Sequence, residues 1–309
     1  MALPVRETWL ITGSTGFLGR NLIESLKSDS TIQPVCVGRK PGNGISDFEK
    51  GLARGDFNDT SFWKKLIQQT KPRVILNLAG ATPPCNAEEL WIANYHWIPG
   101  LIAVISESPE PIKIVHAGSA AELGDVPITD LPVSEGYDAK PLNEYGKSKL
   151  AATQAFLNAE LKLKPVVARL FNLCGPGQGT RQAWGRYAHE LYLRRNENEI
   201  TLKCFGLEAR RDFIDIRDAS SAIIELARCD ETSRIYHVGC GRSISIGEGL
   251  NLLVTASELN VEIEIDHERS VLSGPQDSIA DNRRILRETS WAPKISIQQS
   301  LSDLWRSLT

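Results

Sequence analysis

The sequence predicts an α/β fold built on a doubly wound parallel sheet. Three observations carry the expectation. Short apolar runs alternate with helix-spaced segments through the first half of the chain. Several of those runs are continuously apolar, as strands buried on both faces are. A glycine-rich turn joins the first run to the first helix. A chain of 309 residues is long enough for one large α/β unit, or for a nucleotide-binding unit with a smaller partner.

The elements follow in order. TWLITG (8–13) reads as the first strand and FLGRNLIESLKS (17–28) as the first helix. QPVCVG (33–38) and LARGD (52–56) are the next strands, separated by a Gly/Pro loop over 41–46. TSFWKKLIQQT (60–70) reads as a helix, with Asp59 or Thr60 as its cap. RVILNLAG (73–80), PIKIVHAGS (111–119) and KPVVARLFN (164–172) are buried strands. Helices are expected over 87–108, kinked by Pro99, and over 143–161. Beyond about residue 173 the pattern changes. A glycine-rich loop (173–186) leads into mixed short elements, a strand–turn–helix over 234–258 and an amphipathic terminal helix over 300–308. No clean linker is visible. The expected division is a nucleotide-binding part over 1–172, with segments returning from about 205–240, and a smaller, interleaved substrate-binding part over 173–309.

Composition narrows the function. A net charge of −3 gives no basic footprint, so neither nucleic acid nor an anionic membrane is an expected partner. The six cysteines form no C-x-x-C pair, which argues against a disulfide framework or a metal site and for a reducing cytosol. No apolar stretch approaches the ~20 residues of a membrane helix. MALPVRETWLITG is too short and too polar before its apolar run for a secretory signal, so a cytoplasmic protein is expected.

LITGSTGFLG places Gly13, Gly16 and Gly19 where the first strand meets the first helix. Glycines there let backbone amides approach a pyrophosphate at the helix N-terminus, with Thr15, Phe17 and Leu18 as further cofactor contacts. A ligand-free turn is the competing explanation. The second strand ends in Arg39 and Lys40. A free ribose 2′-OH wants an acid at this point and a 2′-phosphate wants an arginine, so NADP(H) is favoured, with NAD(H) as the alternative. Solvated loop charges would look the same. Asp56 is placed to accept from an adenine amine with Phe57 beside the ring, or is simply a surface acid.

Tyr145 is the only one of six tyrosines with a lysine, Lys149, four residues on. That spacing puts both on one helix face, where an ammonium lowers the phenol's pKa and makes it a usable general acid. Chance could supply the pair alone, so its surroundings matter. Ser119 ends a buried strand upstream, placed to give a second hydrogen bond to the same substrate oxygen, or to serve only as a turn residue.

Taken together, TGSTGFLG, GDF, NLAG, GSAAELG, YGKSK, RLFNLCGPGQ and RRDFIDIRD, in order from residue 12 to 218, resemble an extended short-chain dehydrogenase/reductase. That family includes nucleotide-sugar epimerases, dehydratases and ketoreductases. WAPKISIQQSLSDLW resembles its closing helix, so the resemblance covers nearly the whole chain. It implies a Rossmann-type sheet. Tyr145 would be the acid/base, Lys149 would hold the nicotinamide ribose and Ser119 would orient the substrate oxygen. Leu78, Ala79 and Gly80 would line the cofactor, and Phe171 and Asn172 would lie near the nicotinamide and the substrate phosphates. Arg211 would contact a nucleotide diphosphate, an ion pair with Asp212 or Asp215 being the competing explanation. Thr82, Ala120, Glu122, Gln178 and Arg181 are the remaining candidate substrate contacts.

Ala120 and Ala121 stand where the dehydratases carry an acidic pair, which argues against dehydration. The motifs look most like GDP-4-keto-6-deoxymannose reductases. Departures include Leu123 where an aromatic is common, Cys174 in place of a small polar residue, and Gly274 where an arginine is usual, with Arg269 as a substitute. The expected function is NADPH-dependent reduction of a keto group on a nucleotide-linked deoxy-sugar. Three alternatives stay open: an NAD-retaining nucleotide-sugar epimerase, a ketoreductase of a small non-nucleotide substrate, and a non-catalytic cofactor-sensing or RNA-binding protein. The resemblance also implies a homodimer formed by the helices at 87–108 and 143–161.

Overall fold

Along β1 (Glu7–Thr12), alternate side chains go to opposite apolar layers. Trp9 and Ile11 join one buried cluster and Leu10 the other, the period-2 signature of a strand covered on both faces. The computed structural model describes residues 6–39, 52–162, 164–229, 234–266 and 277–309. In chain order, β1 is followed by α1 (Phe17–Leu26), β2 (Ile32–Arg39), β3 (Leu52–Gly55), α2 (Thr60–Thr70), β4 (Val74–Asn77), α3 (Ala87–Asn94), α4 (Ile98–Ser106), β5 (Lys113–Ser119), α5 (Glu144–Asn158) and β6 (Val166–Leu170). Then come β7 (Asn172–Cys174), α6 (Ala183–Arg194), β8 (Ile200–Cys204), β9 (Arg210–Asp215), α7 (Ile216–Arg228), β10 (Ile235–Val238), β11 (Ser243–Ser245), α8 (Ile246–Ser257), β12 (Val261–Ile265), α9 (Arg283–Glu288) and α10 (Ile297–Arg306).

Seven strands form one parallel sheet in the order β10-β6-β5-β4-β1-β2-β3. The order reverses between β1 and β4, which opens a crevice at the carboxyl ends of those strands. Residues of α1 and α7 pack on one face; residues of α2, α4 and α5 pack on the other. The fold is the expected Rossmann-type α/β architecture. A smaller sheet, β11-β9-β7, and the pair β12-β8 stand beside it. Their apolar residues join α6, α8 and α10 in a third cluster.

Two elements differ from expectation. The segment 87–108 is not one kinked helix. α3 ends at Asn94, and Pro99 sits in the first turn of α4. A proline has no amide to donate, so the first turn of a new helix tolerates it where a helix interior does not. The run 164–172 is not one strand. β6 ends at Leu170, Phe171 turns the chain, and β7 continues in the other sheet, paired with β9. The cap of α2 is Asp59, which accepts from the Ser61 amide at 2.8 Å. Among the described residues no helix is long and apolar enough to cross a membrane.

Candidate active site

A cleft of about 1080 Å³ runs along the carboxyl ends of β1, β4, β5 and β6. Its floor is the glycine turn. Gly13 has φ +69°, and a Cβ there would lie 2.6 Å from the Leu78 carbonyl carbon. A Cβ on Gly19 would lie 2.2 Å from the Gly13 carbonyl oxygen, so α1 seats directly on the turn. The Gly16 amide donates to the Gly13 carbonyl at 3.0 Å. α1 has no acid in its first turn and no side-chain cap, which leaves its first amides and dipole to an external anion. Thr15, Phe17, Leu18, Leu78 and Gly80 line the same space. This cradle fits a dinucleotide pyrophosphate.

Beneath the floor lies a buried polar layer. Thr12 Oγ1 donates to Asn77 Oδ1 at 2.9 Å and accepts from the Ala79 amide at 3.1 Å. Asn77 Nδ2 lies 3.0 Å from His116 Nδ1 and donates to it. Burial holds the His116 pKa well below its ordinary value, and the Lys149 charge adds to the effect.

Beside the floor, Asn143 caps α5, its Oδ1 accepting from the Gly146 amide at 2.9 Å. A Cβ on Gly146 would lie 2.3 Å from the Ala121 carbonyl oxygen, so α5 rests on the turn that follows β5. That contact brings Tyr145 beside Ser119, whose hydroxyl acts to lower the phenol's pKa. Lys149 lies just behind the cleft wall and donates from Nζ to the Ala117 carbonyl at 2.5 Å. Its pKa is lowered to about 8 by burial, against the pull of Glu122. The phenol does not follow the expected direction. Burial pushes its pKa up and Glu122 adds to the rise, while Ser119 lowers it. The sequence expectation assumed an ammonium aimed at the phenol; here the Lys149 proton is directed to a backbone carbonyl.

Thr82, Ala120, Phe171, Asn172, Gln178, Arg181 and Arg211 line the rest of the cleft. Asn172 Nδ2 donates to the Asp212 carbonyl at 3.2 Å. Gln178 is buried, and its Oε1 has no partner among the described residues. The Arg211 pKa is lowered by burial, with Asp277 and Asp125 opposing. Ion pairing of Arg211 with Asp212 or Asp215 does not explain its place. Asp212 accepts from the Cys240, Gly241 and Ala280 amides, and Asp215 takes Arg217 at 2.8 and 2.9 Å.

The sequence profile described as the NAD dependent epimerase/dehydratase family matches residues 9–239. The chain belongs to this family. It is 28% identical over 307 residues to dTDP-6-deoxy-L-talose 4-dehydrogenase (NAD(P)(+)) of Kitasatospora kifunensis, covering 96% of this chain and 93% of that one. It is 29% identical over 301 residues to GDP-6-deoxy-D-mannose reductase of Pseudomonas aeruginosa, covering 94% and 93%. Among solved structures, RMD from Pseudomonas aeruginosa complexed with NADPH matches with a TM-score of 0.80 at 23% identity, over 98% of each chain.

In this member of the epimerase/dehydratase family, several expected site residues lie elsewhere. Glu122 is not in the cleft: its carboxylate is wholly buried against Arg169, Thr153 and the Ser119 amide. Phe57 is not free to meet a ring of the cofactor. It is buried against Trp63 and Trp97, with ring centroids 4.9 and 4.8 Å away. Asp56 is exposed and accepts from the Asn58 amide, outside the cleft lining. Ala79 is buried and faces the polar layer through its amide rather than the cleft. Arg39 is exposed at the end of β2. Lys40, Arg269 and Gly274 lie outside the described residues.

Two cleft-building residues were not foreseen. Asn94 accepts from the Ala81 amide at 2.8 Å and donates to Ser148 Oγ at 2.9 Å, which ties the loop after β4 to α5. Its only signal was an asparagine among the large apolar residues of WIANYHW. Trp184 stacks on Phe213 at 3.7 Å and donates from Nε1 to the Ile246 carbonyl at 3.1 Å, forming the far wall.

Proposed function

We propose that this protein reduces a keto group on a nucleotide-linked deoxy-sugar at the expense of NADPH. One observation carries the reading. Ser119 and Tyr145 face the cleft together, with Lys149 behind them, and the two residues after Ser119 are alanines. A single proton-transfer group beside the cofactor cradle suits reduction, whereas elimination of water needs further acid/base groups. Both named relatives bear the names of enzymes of nucleotide-linked 6-deoxy sugars.

The dinucleotide supplies the hydride when bound. The phenol of Tyr145 then donates its proton to the oxygen of the former carbonyl, so that ketone, hydride and proton balance as an alcohol. Ser119 donates a hydrogen bond to the same oxygen, aimed where negative charge develops. Lys149 would hold the ribose of the bound dinucleotide, and its positive charge near the phenol would lower the cost of deprotonation. Arg181 and Arg211 grip the diphosphate, and Arg39 favours the 2′-phosphate of NADP(H).

The test is titration with NADPH and NADH, then turnover on a panel of 4-keto sugar nucleotides, with Tyr145→Phe as control. Tyr145-dependent oxidation of NADPH by one keto-sugar is the expected result. Tightly held NAD with no net oxidation on any of them would instead indicate an epimerase.

A further inference from the structure

The Ser119 hydroxyl accepts from the Ala121 amide at 3.2 Å, and the Ser119 amide is held from behind by charges that do not line the cleft. The Ser119 amide donates to Glu122 Oε1 at 2.7 Å, and the same oxygen accepts from Thr153 Oγ1 at 3.1 Å. Glu122 Oε2 accepts from Arg169 Nε at 3.0 Å and forms an ion pair with Nη2 at the same distance. Arg169 Nη1 faces His237 Nε2 at 3.2 Å, and His237 Nδ1 faces the Val133 carbonyl at 3.0 Å. A carbonyl only accepts, so Nδ1 carries the proton and Nε2 accepts from the guanidinium. Glu122 and His237 are 0% exposed and Arg169 is 3% exposed.

A pair this deep calls for a reason beyond packing. Removing two charges from water costs about as much as their attraction returns, and apolar side chains of similar volume would fill the space at least as well. β5 is also shaped around the pair. A Cβ on Gly118 would lie 2.9 Å from Glu122 Oε1, so a side chain there would crowd the carboxylate. The bonds converge on the Glu122 carboxylate, which holds one backbone amide of the cleft edge, that of Ser119. That amide belongs to the residue whose hydroxyl meets Tyr145, and a small backbone rotation there would swing the hydroxyl away.

We propose that the Glu122–Arg169 pair, backed by His237, is a positioning device that locks the Ser119 backbone so that its hydroxyl shares one substrate oxygen with Tyr145. The inference rests on the reading of Ser119 and Tyr145 given under Proposed function. It makes Glu122 and Arg169 positioning residues rather than substrate contacts, and it ties Ser119 to α5, β6, β10 and the segment carrying Val133.

The double variant Glu122→Leu/Arg169→Met tests it, because it replaces the pair with apolar side chains of comparable size. The thermal midpoint should stay close to wild type. A crystal structure with NADPH should show the Ser119 hydroxyl displaced from Tyr145. On the keto-sugar nucleotide that the wild type turns over, kcat should fall by about 10²-fold, the scale of one lost oxyanion donor, with KM for NADPH unchanged. In a Ser119→Ala background the same change should cost nothing more. Ser119 still in place in the variant crystal, or an equal kcat loss with and without Ser119, overturns the proposal. Should the double variant not fold, Glu122→Gln keeps an acceptor for the Ser119 amide. It gives up the charge that Arg169 holds, so kcat should fall, though less than in Ser119→Ala, with the Ser119 hydroxyl displaced in the crystal; an unchanged kcat, or a loss with Ser119 unmoved, would sink the idea. A wild type inactive on every keto-sugar nucleotide defeats the functional reading alone, since the Ser119 position in the crystals still decides this one.

Discussion

Lys149 is the residue whose protonation the surrounding structure biases most usefully. Burial lowers its pKa to about 8, so the ammonium is intact below that pH and lost above it. NADPH affinity, followed by nucleotide fluorescence, should therefore weaken as pH rises through about 8. Lys149→Met should flatten the profile and weaken binding at pH 7 by roughly 10- to 100-fold, the ~1.5–3 kcal/mol of a charged hydrogen bond. A profile that keeps its shape in the variant would remove Lys149 from the cofactor site. Tyr145→Phe should reduce kcat by about 10²- to 10⁴-fold with NADPH affinity unchanged, the range of general acid catalysis. The nearness of Ser119, Tyr145 and Lys149 was legible because helical periodicity and a strand end place residues without any knowledge of packing. Glu122 and Phe57 were misread for the converse reason. Chain position says that each follows a strand, but the facing of a single 3-10 turn, and the pull of Trp63 and Trp97 on a neighbouring ring, are settled only by tertiary contact.

At the scale of elements, two glycines separate the ends of the cleft. Gly19→Ala would drive a methyl group into the Gly13 carbonyl, which is backbone and cannot turn aside. Affinity for NADPH should fall more than about tenfold, or about 1.4 kcal/mol, in a direct titration. Gly249→Ala acts at the other end. Its Cβ would lie 2.0 Å from the Trp184 ring, which would have to leave its stack on Phe213. The melting temperature should drop, with strain of about 1–3 kcal/mol, and KM for the sugar nucleotide should rise while NADPH affinity holds. A rise in the NADPH dissociation constant instead would mean that the two ends are not separable. The alternation of strand and helix was readable from apolar periodicity. The break at Pro99 was readable only in part, since a proline marks a boundary without telling a kink from a fresh start.

For the whole molecule, buried neutral histidines set the response to acid. The folded-state pKa of His237 is lowered to about 3, by burial first and Arg169 second, and that of His116 is also depressed. The unfolded chain takes up these protons near pH 6.5 and the folded chain does not. Their contribution is complete above pH 6.5 and is lost as pH falls toward 3, at about 1.4 kcal/mol per pH unit for each histidine. Asp212, raised to about 6 by burial, and Asp218, also raised by burial, oppose this in the folded state, but only at pH values below those at which the histidines begin to act. Denaturant midpoints should fall between pH 7 and pH 5, and a flat or rising curve would contradict the neutral burial of the two histidines. None of this was legible from the chain alone, because VVARLFN and RIYHVG read as plain apolar strands around Arg169 and His237. The path of the backbone carries a different lesson. It leaves the central sheet at Phe171, comes back after β9 with α7, and departs again after β10. A graft that exchanged everything beyond residue 173 for a relative's sequence would exchange β10 with it, and β6 would have to pair with a foreign edge strand. A single crossover there changes the far wall of the cleft and the edge of the central sheet together. Separating the two takes two crossovers, one on each side of the returning α7–β10 segment.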